Sequence, residues 1–141
     1  VLSNEFEVLN NLKKLTVMLL GVSAEKFMGT ISEEQEVLAG LANCTTSVFA
    51  AEGGLLRAQK VNIKNATEAK IETAMARIAV YDACRIVESE ANTILGRFNG
   101  EGKAPWIQKH ICRLTECLPS DIIGLNRTVA EAYIDGTWNF L

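Results

Sequence analysis

Apolar residues along this chain recur in steps of three and four, the spacing that keeps side chains on one face of an α-helix. Val8, Leu12, Leu15, Leu19 and Val22 mark the first stripe and predict a helix from about Glu5 to Lys26. Met18 and Leu20 widen its apolar surface, so we expect this helix to be covered on two sides. Met28-Gly29-Thr30 breaks it. A second helix opens at Ser32-Glu33-Glu34-Gln35, which reads as a capping box: the Ser32 side chain takes a free amide and Gln35 reaches back. Its stripe is Leu38, Leu41, Val48 and Leu55, and it ends near Val61. It passes through Gly53-Gly54, where the missing side chains permit close approach of a neighbour or mark a kink.

The third helix is the longest, about Ala66 to Phe98, starting at a cap-like Asn65 with Glu68. Ile71, Met75, Ile78, Ile86, Val87, Ile94 and Phe98 form its apolar face, and Asn99-Gly100-Glu101-Gly102 stops it. Pro105 suits the first turn of a fourth helix, striped by Ile107, Ile111, Leu114 and Leu118 and ended by Pro119. Ser120 or Asp121 caps a fifth, in which Ile122, Leu125, Val129 and Tyr133 continue the pattern to about Asp135. No stretch alternates as a strand does, and no internal repeat is visible. The expected fold is all-α: an antiparallel bundle of four to five helices, one domain over residues 1–141.

Composition narrows the picture. The net charge is −3, with no basic excess to favour a nucleic-acid backbone. No apolar run reaches the roughly 20 residues of a membrane span. The acidic balance also disfavours anionic lipid surfaces. The chain opens on Val1 without an initiator methionine, so we expect a piece of a longer polypeptide. Cys44, Cys84, Cys112 and Cys117 form no CxxC pair and read as buried thiols of a cytosolic-type protein. Three Asn-x-Thr tripeptides, at Asn43, Asn65 and Asn126, read as chance matches to a glycosylation acceptor.

Little in the chain points to catalysis. The lone histidine, His110, has no Glu three residues before it, which excludes a ferritin-like di-iron set. Nor can one histidine without a nucleophile context form a triad. We expect no metal site and no catalytic residue. Counting from Leu38 places Glu52 on the core-facing stripe, and Asp82 and Arg85 take similar central positions on the third helix. These three are candidates for a polar core. One reading is a buried acid poised for proton transfer; the favoured one is an inter-helix ion pair that fixes register. Trp106, Trp138 and Phe140 read as packing across the bundle ends, or as docking on a partner or membrane surface. Leu55-Leu56-Arg57 is a second docking candidate, against ordinary core plus a solvated charge.

Two segments carry a resemblance. Glu33 to Lys60 has the form Glu-Glu-Gln-Glu-Val-Leu, then Ala51-Glu52, Leu55-Leu56-Arg57 and Lys60. Leu114 to Gly136 carries Leu114, Thr115, Pro119, Ile123, Leu125, Arg127, Val129, Ala130, Ile134 and Gly136. With Tyr81-Asp82-Ala83 and Ala91 to Leu95, the chain from about Leu15 onward resembles the extra C-terminal helical domain of long-chain and very-long-chain acyl-CoA dehydrogenases. It departs from that pattern at Gly53-Gly54 and after Gly136.

The resemblance implies a parent flavoenzyme that oxidises a fatty acyl-CoA between its α and β carbons. There a carboxylate base removes the α proton and FAD accepts the β hydride. Electrons then pass to an electron-transfer flavoprotein. Those roles lie outside this chain, which holds no FAD of its own by this reading. The chain is implied to be accessory: it packs on the enzyme body, supports a homodimer, or meets a membrane or partner. The implied location is bacterial cytoplasm, with the mitochondrial matrix as the other setting. The alternative is a free-standing helical scaffold that binds another protein through a groove.

Overall fold

The computed structural model describes residues 2–62, 66–117 and 120–137, the side chains of 66–68 excepted. Five α-helices follow one another: α1 (Ser3–Phe27), α2 (Gln35–Asn62), α3 (Ala66–Gly96), α4 (Ala104–Leu114) and α5 (Ile122–Ile134). The expected all-α bundle is what forms, and no strand occurs among the described residues.

The two long helices, α2 and α3, make the most extensive packing in the molecule. Their contact faces are built from small groups. Gly40, Ala51 and Ala58 on α2 and Ala76, Ala83 and Ala91 on α3 are all buried. Gly40 is the tight point of this contact, and Gly54 an ordinary one. A Cβ placed at Gly40 would lie 3.2 Å from Ile94 Cδ1, and one placed at Gly54 would lie 3.9 Å from Ala76 Cα. The glycine pair splits: Gly54 faces α3 at a distance where a methyl group would still make ordinary contact, while nothing lies near Gly53. Helix α1 packs on α2, α3 and α4, and sends Leu9, Leu12, Leu15 and Leu19 into the core at 0–1% exposure. Its opposite side is open at Val17 and Leu20, while Met18 packs against the core, so among the described residues the expected second cover reaches Met18 but not Leu20.

The turn between α1 and α2 differs from the expected capping box. Residues Met28–Glu33 form a 3₁₀ turn, and Met28 takes a φ of 25° in the left-handed region. Helix α2 therefore starts at Gln35, and the Gln35 side-chain amide donates to the Ser32 carbonyl (2.6 Å). Helix α3 ends at Gly96, and Phe98 beyond it packs edge-on against Phe27, centroids 5.9 Å apart. Ile107, Ile111 and Leu114 seat α4 on α1 and α3. Asp121 caps α5 as expected: the Gly124 N–H donates to its carboxylate at 2.9 Å. Helix α5 rests on α3 alone among the described residues, through half-buried Ile122, Leu125 and Val129, while Tyr133 is exposed. Leu118 and Pro119 lie outside the described residues.

Three of the four cysteines differ from the expected set of buried thiols. Cys84 and Cys117 are joined in a disulfide that ties α3 to the segment after α4, and Cys112 is exposed. The pairing spans 33 residues, a separation that local spacing does not reveal. Cys44 is a buried thiol. Burial, with the nearby Glu90 carboxylate adding to it, pushes its pKa from 9.0 up to about 11.

Two outcomes follow. In urea unfolding, Gly40→Leu is expected to cost about 1–3 kcal/mol by overpacking against Glu90 and Ile94. Gly53→Ala, in open space, is expected to gain up to about 1 kcal/mol of helix propensity. The second outcome concerns pH. A raised thiol pKa in the folded state gives a contribution intact below the ordinary value and lost as pH rises through the folded one. Melting scans between pH 9.0 and about 11 should show a steeper fall for the native chain than for Cys44→Ala. Equal slopes would remove Cys44 from that pH response.

Candidate functional site

The polar-core candidates do not come together. Glu52 is half exposed on α2 and pairs with Lys13 of α1 across the seam between the two helices. It is an inter-helix ion pair, as favoured, but at the edge and not in the core. The physical reason is a rotation. The buried stripe of α2 runs through Val37, Leu41, Cys44, Val48, Ala51 and Leu55, so counting from Leu38 starts one residue, or about 100°, too far round. Asp82 and Arg85 are exposed, which corrects their placement in the core. The inward arc of α3 at that level belongs to Val80, Ala83, Cys84 and Val87. Arg85 donates instead to the Tyr81 hydroxyl (3.1 Å) and lies over its ring, 5.7 Å from the centroid. That bond holds its guanidinium above the usual pKa.

The docking candidates also separate. Leu55 is fully buried against the bundle, which corrects its place among surface residues, whereas Leu56 and Arg57 face outward. Arg57 reaches Glu72 of α3 at 3.0 Å. Trp106 is half exposed, and its ring contact is with His110 on its own helix, centroids 4.3 Å apart, rather than across the bundle end. Trp138 and Phe140 lie outside the described residues.

Glu72 is the polar residue that the sequence reading passed over. It is 6% exposed and stands three residues after Ala69 and four before Ala76, both buried. That spacing marks it as inward-facing, but small alanines make the stripe hard to see. Its carboxylate is neutralised by Arg57, so it is a register-setting pair at the α2–α3 seam. Arg77 to Glu5 (2.8 Å) joins α3 to α1, and the two-bonded Arg97 to Glu34 (2.8 Å each) ties the residue after α3 to the one before α2.

FAD is the cofactor that the resemblance implies for a parent, and two clefts are roomy enough to compare with it. One of about 640 Å³ is faced by Glu33, Glu34 and Glu36, and its cation Arg97 is already held by Glu34. Three carboxylates there repel a diphosphate. Another, of about 540 Å³, lies over the disulfide beside Arg85, which is engaged with Tyr81. Both are open to solvent, without an enclosed slot for a flavin ring. These residues do not fit FAD, and no catalytic step is derived from them. Among the described residues no three His, Cys, Asp or Glu side chains gather as a metal set, and no helix is long and apolar enough to cross a membrane.

Comparison with known proteins gives a consistent picture. The family model for the acyl-CoA dehydrogenase C-terminal domain matches residues 11–105. A Bacillus subtilis (strain 168) protein named "Probable acyl-CoA dehydrogenase" is 26% identical over 136 residues, which are 96% of this chain and 23% of that protein. The crystal structure of an acyl-CoA dehydrogenase complexed with FAD from Bacillus anthracis superposes with a TM-score of 0.87 at 23% identity. That match covers 95% of this chain and 23% of the solved one, and it shows the shared fold. The chain thus spans about a quarter of the length of either relative. It belongs to the acyl-CoA dehydrogenase C-terminal domain family.

Proposed function

We propose that the chain is the non-catalytic C-terminal helical part of a larger FAD-dependent acyl-CoA dehydrogenase, of the long-chain or very-long-chain kind. The observation that carries this reading is the family match over residues 11–105, on a chain whose 136 matched residues make up only 23% of the Bacillus subtilis relative. The α,β-dehydrogenation of the acyl thioester, with its base and its flavin, falls to the other three quarters of such a parent. This chain's part is mechanical. Its ionic groups tie its own helices together, as in Lys13–Glu52, Arg57–Glu72, Arg77–Glu5 and Arg97–Glu34. They therefore serve packing rather than turnover.

The proposal extends to the setting. The parent works as a homodimer in the bacterial cytoplasm and hands its electrons to an electron-transfer flavoprotein; contact with a membrane surface is a further role for the domain. The subfamily rests on the Leu114-to-Gly136 pattern and on Leu55-Leu56-Arg57. A free-standing scaffold is the second reading, favoured by the exposed apolar side chains on α1 and α2.

An immunoblot of source cells, with an antibody raised against this chain, separates the two. A band several times larger than 15.4 kDa is expected, and purification of that polypeptide should yield a yellow, FAD-containing protein. A band at 15.4 kDa would contradict the proposal and favour the scaffold.

A further inference from the structure

Large apolar side chains stand exposed along one side of the α1–α2 hairpin. They are Val17 (69%) and Leu20 (53%) on α1, and Leu38 (36%), Phe49 (77%) and Leu56 (51%) on α2. Their spacing sets them in two lines. Phe49 follows Leu38 by eleven residues and Leu56 follows Phe49 by seven, close to three turns and two. Val17 and Leu20 lie one and two turns beyond Lys13.

The ion pair Lys13–Glu52 joins the two lines across the seam. Phe49 is one turn before Glu52, and Val17 one turn after Lys13. In an antiparallel hairpin those steps run the same way, so Val17 and Phe49 flank the bridge on the same side. The two charges on these lines neutralise one another. What remains is an apolar, locally neutral face along the length of α2, in a chain whose other ionic groups are spread over its outer seams.

We propose that this face is where the domain seats on the remaining part of the dehydrogenase polypeptide. The inference rests on the reading of the chain as one part of such an enzyme, and adds which surface is covered. Size argues for that occupant over a second copy of the chain. From Leu38 to Leu56 the face is about 27 Å long, at 1.5 Å per residue. Two helices about 8–10 Å apart make it about 18 Å wide, or about 500 Å². A stable complex of free partners needs about 800 Å² on each side. A covalently linked partner needs less, because the linkage keeps it at a high effective concentration. Both sides together, about 1,000 Å², fall within the roughly 600–1,500 Å² of interfaces between domains of one chain.

Hydroxyl-radical footprinting of the full-length polypeptide, read by mass spectrometry, tests this. Each residue's oxidation rate is compared with its rate in the same polypeptide unfolded in guanidinium. Phe49, Leu56 and Leu20 are expected to be protected several-fold, although this chain by itself leaves them exposed. The protection should be lost in a full-length Val17→Glu, Phe49→Glu variant that keeps its helical circular dichroism, since neither side chain contributes to the bundle core. Oxidation of Phe49 and Leu56 at the unfolded rate would overturn the inference while leaving the dehydrogenase reading intact. So would protection of Tyr133 and Ile134 on α5 without protection of Phe49. If the native polypeptide is itself only 15.4 kDa, the functional reading fails instead. Protection of Phe49 that then grew with protein concentration would assign the face to a second copy and overturn the seating on an enzyme body.

Discussion

The rest of this structure depends on how closely α2 and α3 approach each other. Both run for more than seven turns, 28 and 31 residues. Small facing side chains let helices of that length approach closely. Gly40 lies against Ile94, and Gly54 against Ala76 and Ala79, near opposite ends of the shared length. Alanines at 51, 83 and 91 occupy the stretch between, and Ala58 lies one turn beyond Gly54. The tight contact at Gly40 fixes the register, because a shift by a turn would bring the larger Glu36 or Cys44 against Ile94.

The other helices are positioned from that pair. Helix α1 lays four leucines along it, and α4 closes the end near Phe27 and Phe98. Helix α5 has only α3 to rest on, with half-buried contacts. Ion pairs mark the seams. Exposed pairs of this kind are typically worth about 0–1 kcal/mol each, so they specify which edges meet more than they hold them together. Glu72 is the exception in burial, and its partner Arg57 leaves it no free charge for chemistry. The chain's one buried side-chain oxygen without a hydrogen bond among the described residues, Ser23 Oγ, sits inside α1 at no exposure. Such a group costs stability, typically about 1–3 kcal/mol, and offers no reach to a ligand.

Much of this was legible in the sequence because helical periodicity in leucine and isoleucine is a strong signal. The α1 stripe at Leu12, Leu15 and Leu19 and the α4 stripe at Ile107, Ile111 and Leu114 are buried as read. The Asp121 cap holds as well. The errors fall where alanine, glycine and cysteine line the core. On α2 and α3 those residues carry little hydrophobic contrast, so a count begun at Leu38 turned Glu52 inward and left Val37 and Glu72 unnoticed. Asp82 and Arg85 were misplaced for the same reason: their inward neighbours are Ala83 and Cys84. The Cys84–Cys117 link needs the fold of the α4–α5 connection, which no local pattern carries. Of the exposed line, Leu56 is among the docking candidates of the sequence, but Phe49 is not legible there, since an apolar residue at helical spacing ordinarily reads as core.

Amide hydrogen exchange of the chain, resolved by residue, tests the dependence on the α2–α3 pair most directly. The account predicts the slowest exchange in the middle of these two helices, around Leu41 to Ala58 and Ala76 to Ile94. Intermediate rates are expected in the leucine turns of α1, and markedly faster ones in α5. Amides of α5 exchanging as slowly as those beside Ala51 and Ala83 would contradict it, because the bundle would then open as one unit with no helix pair at its foundation.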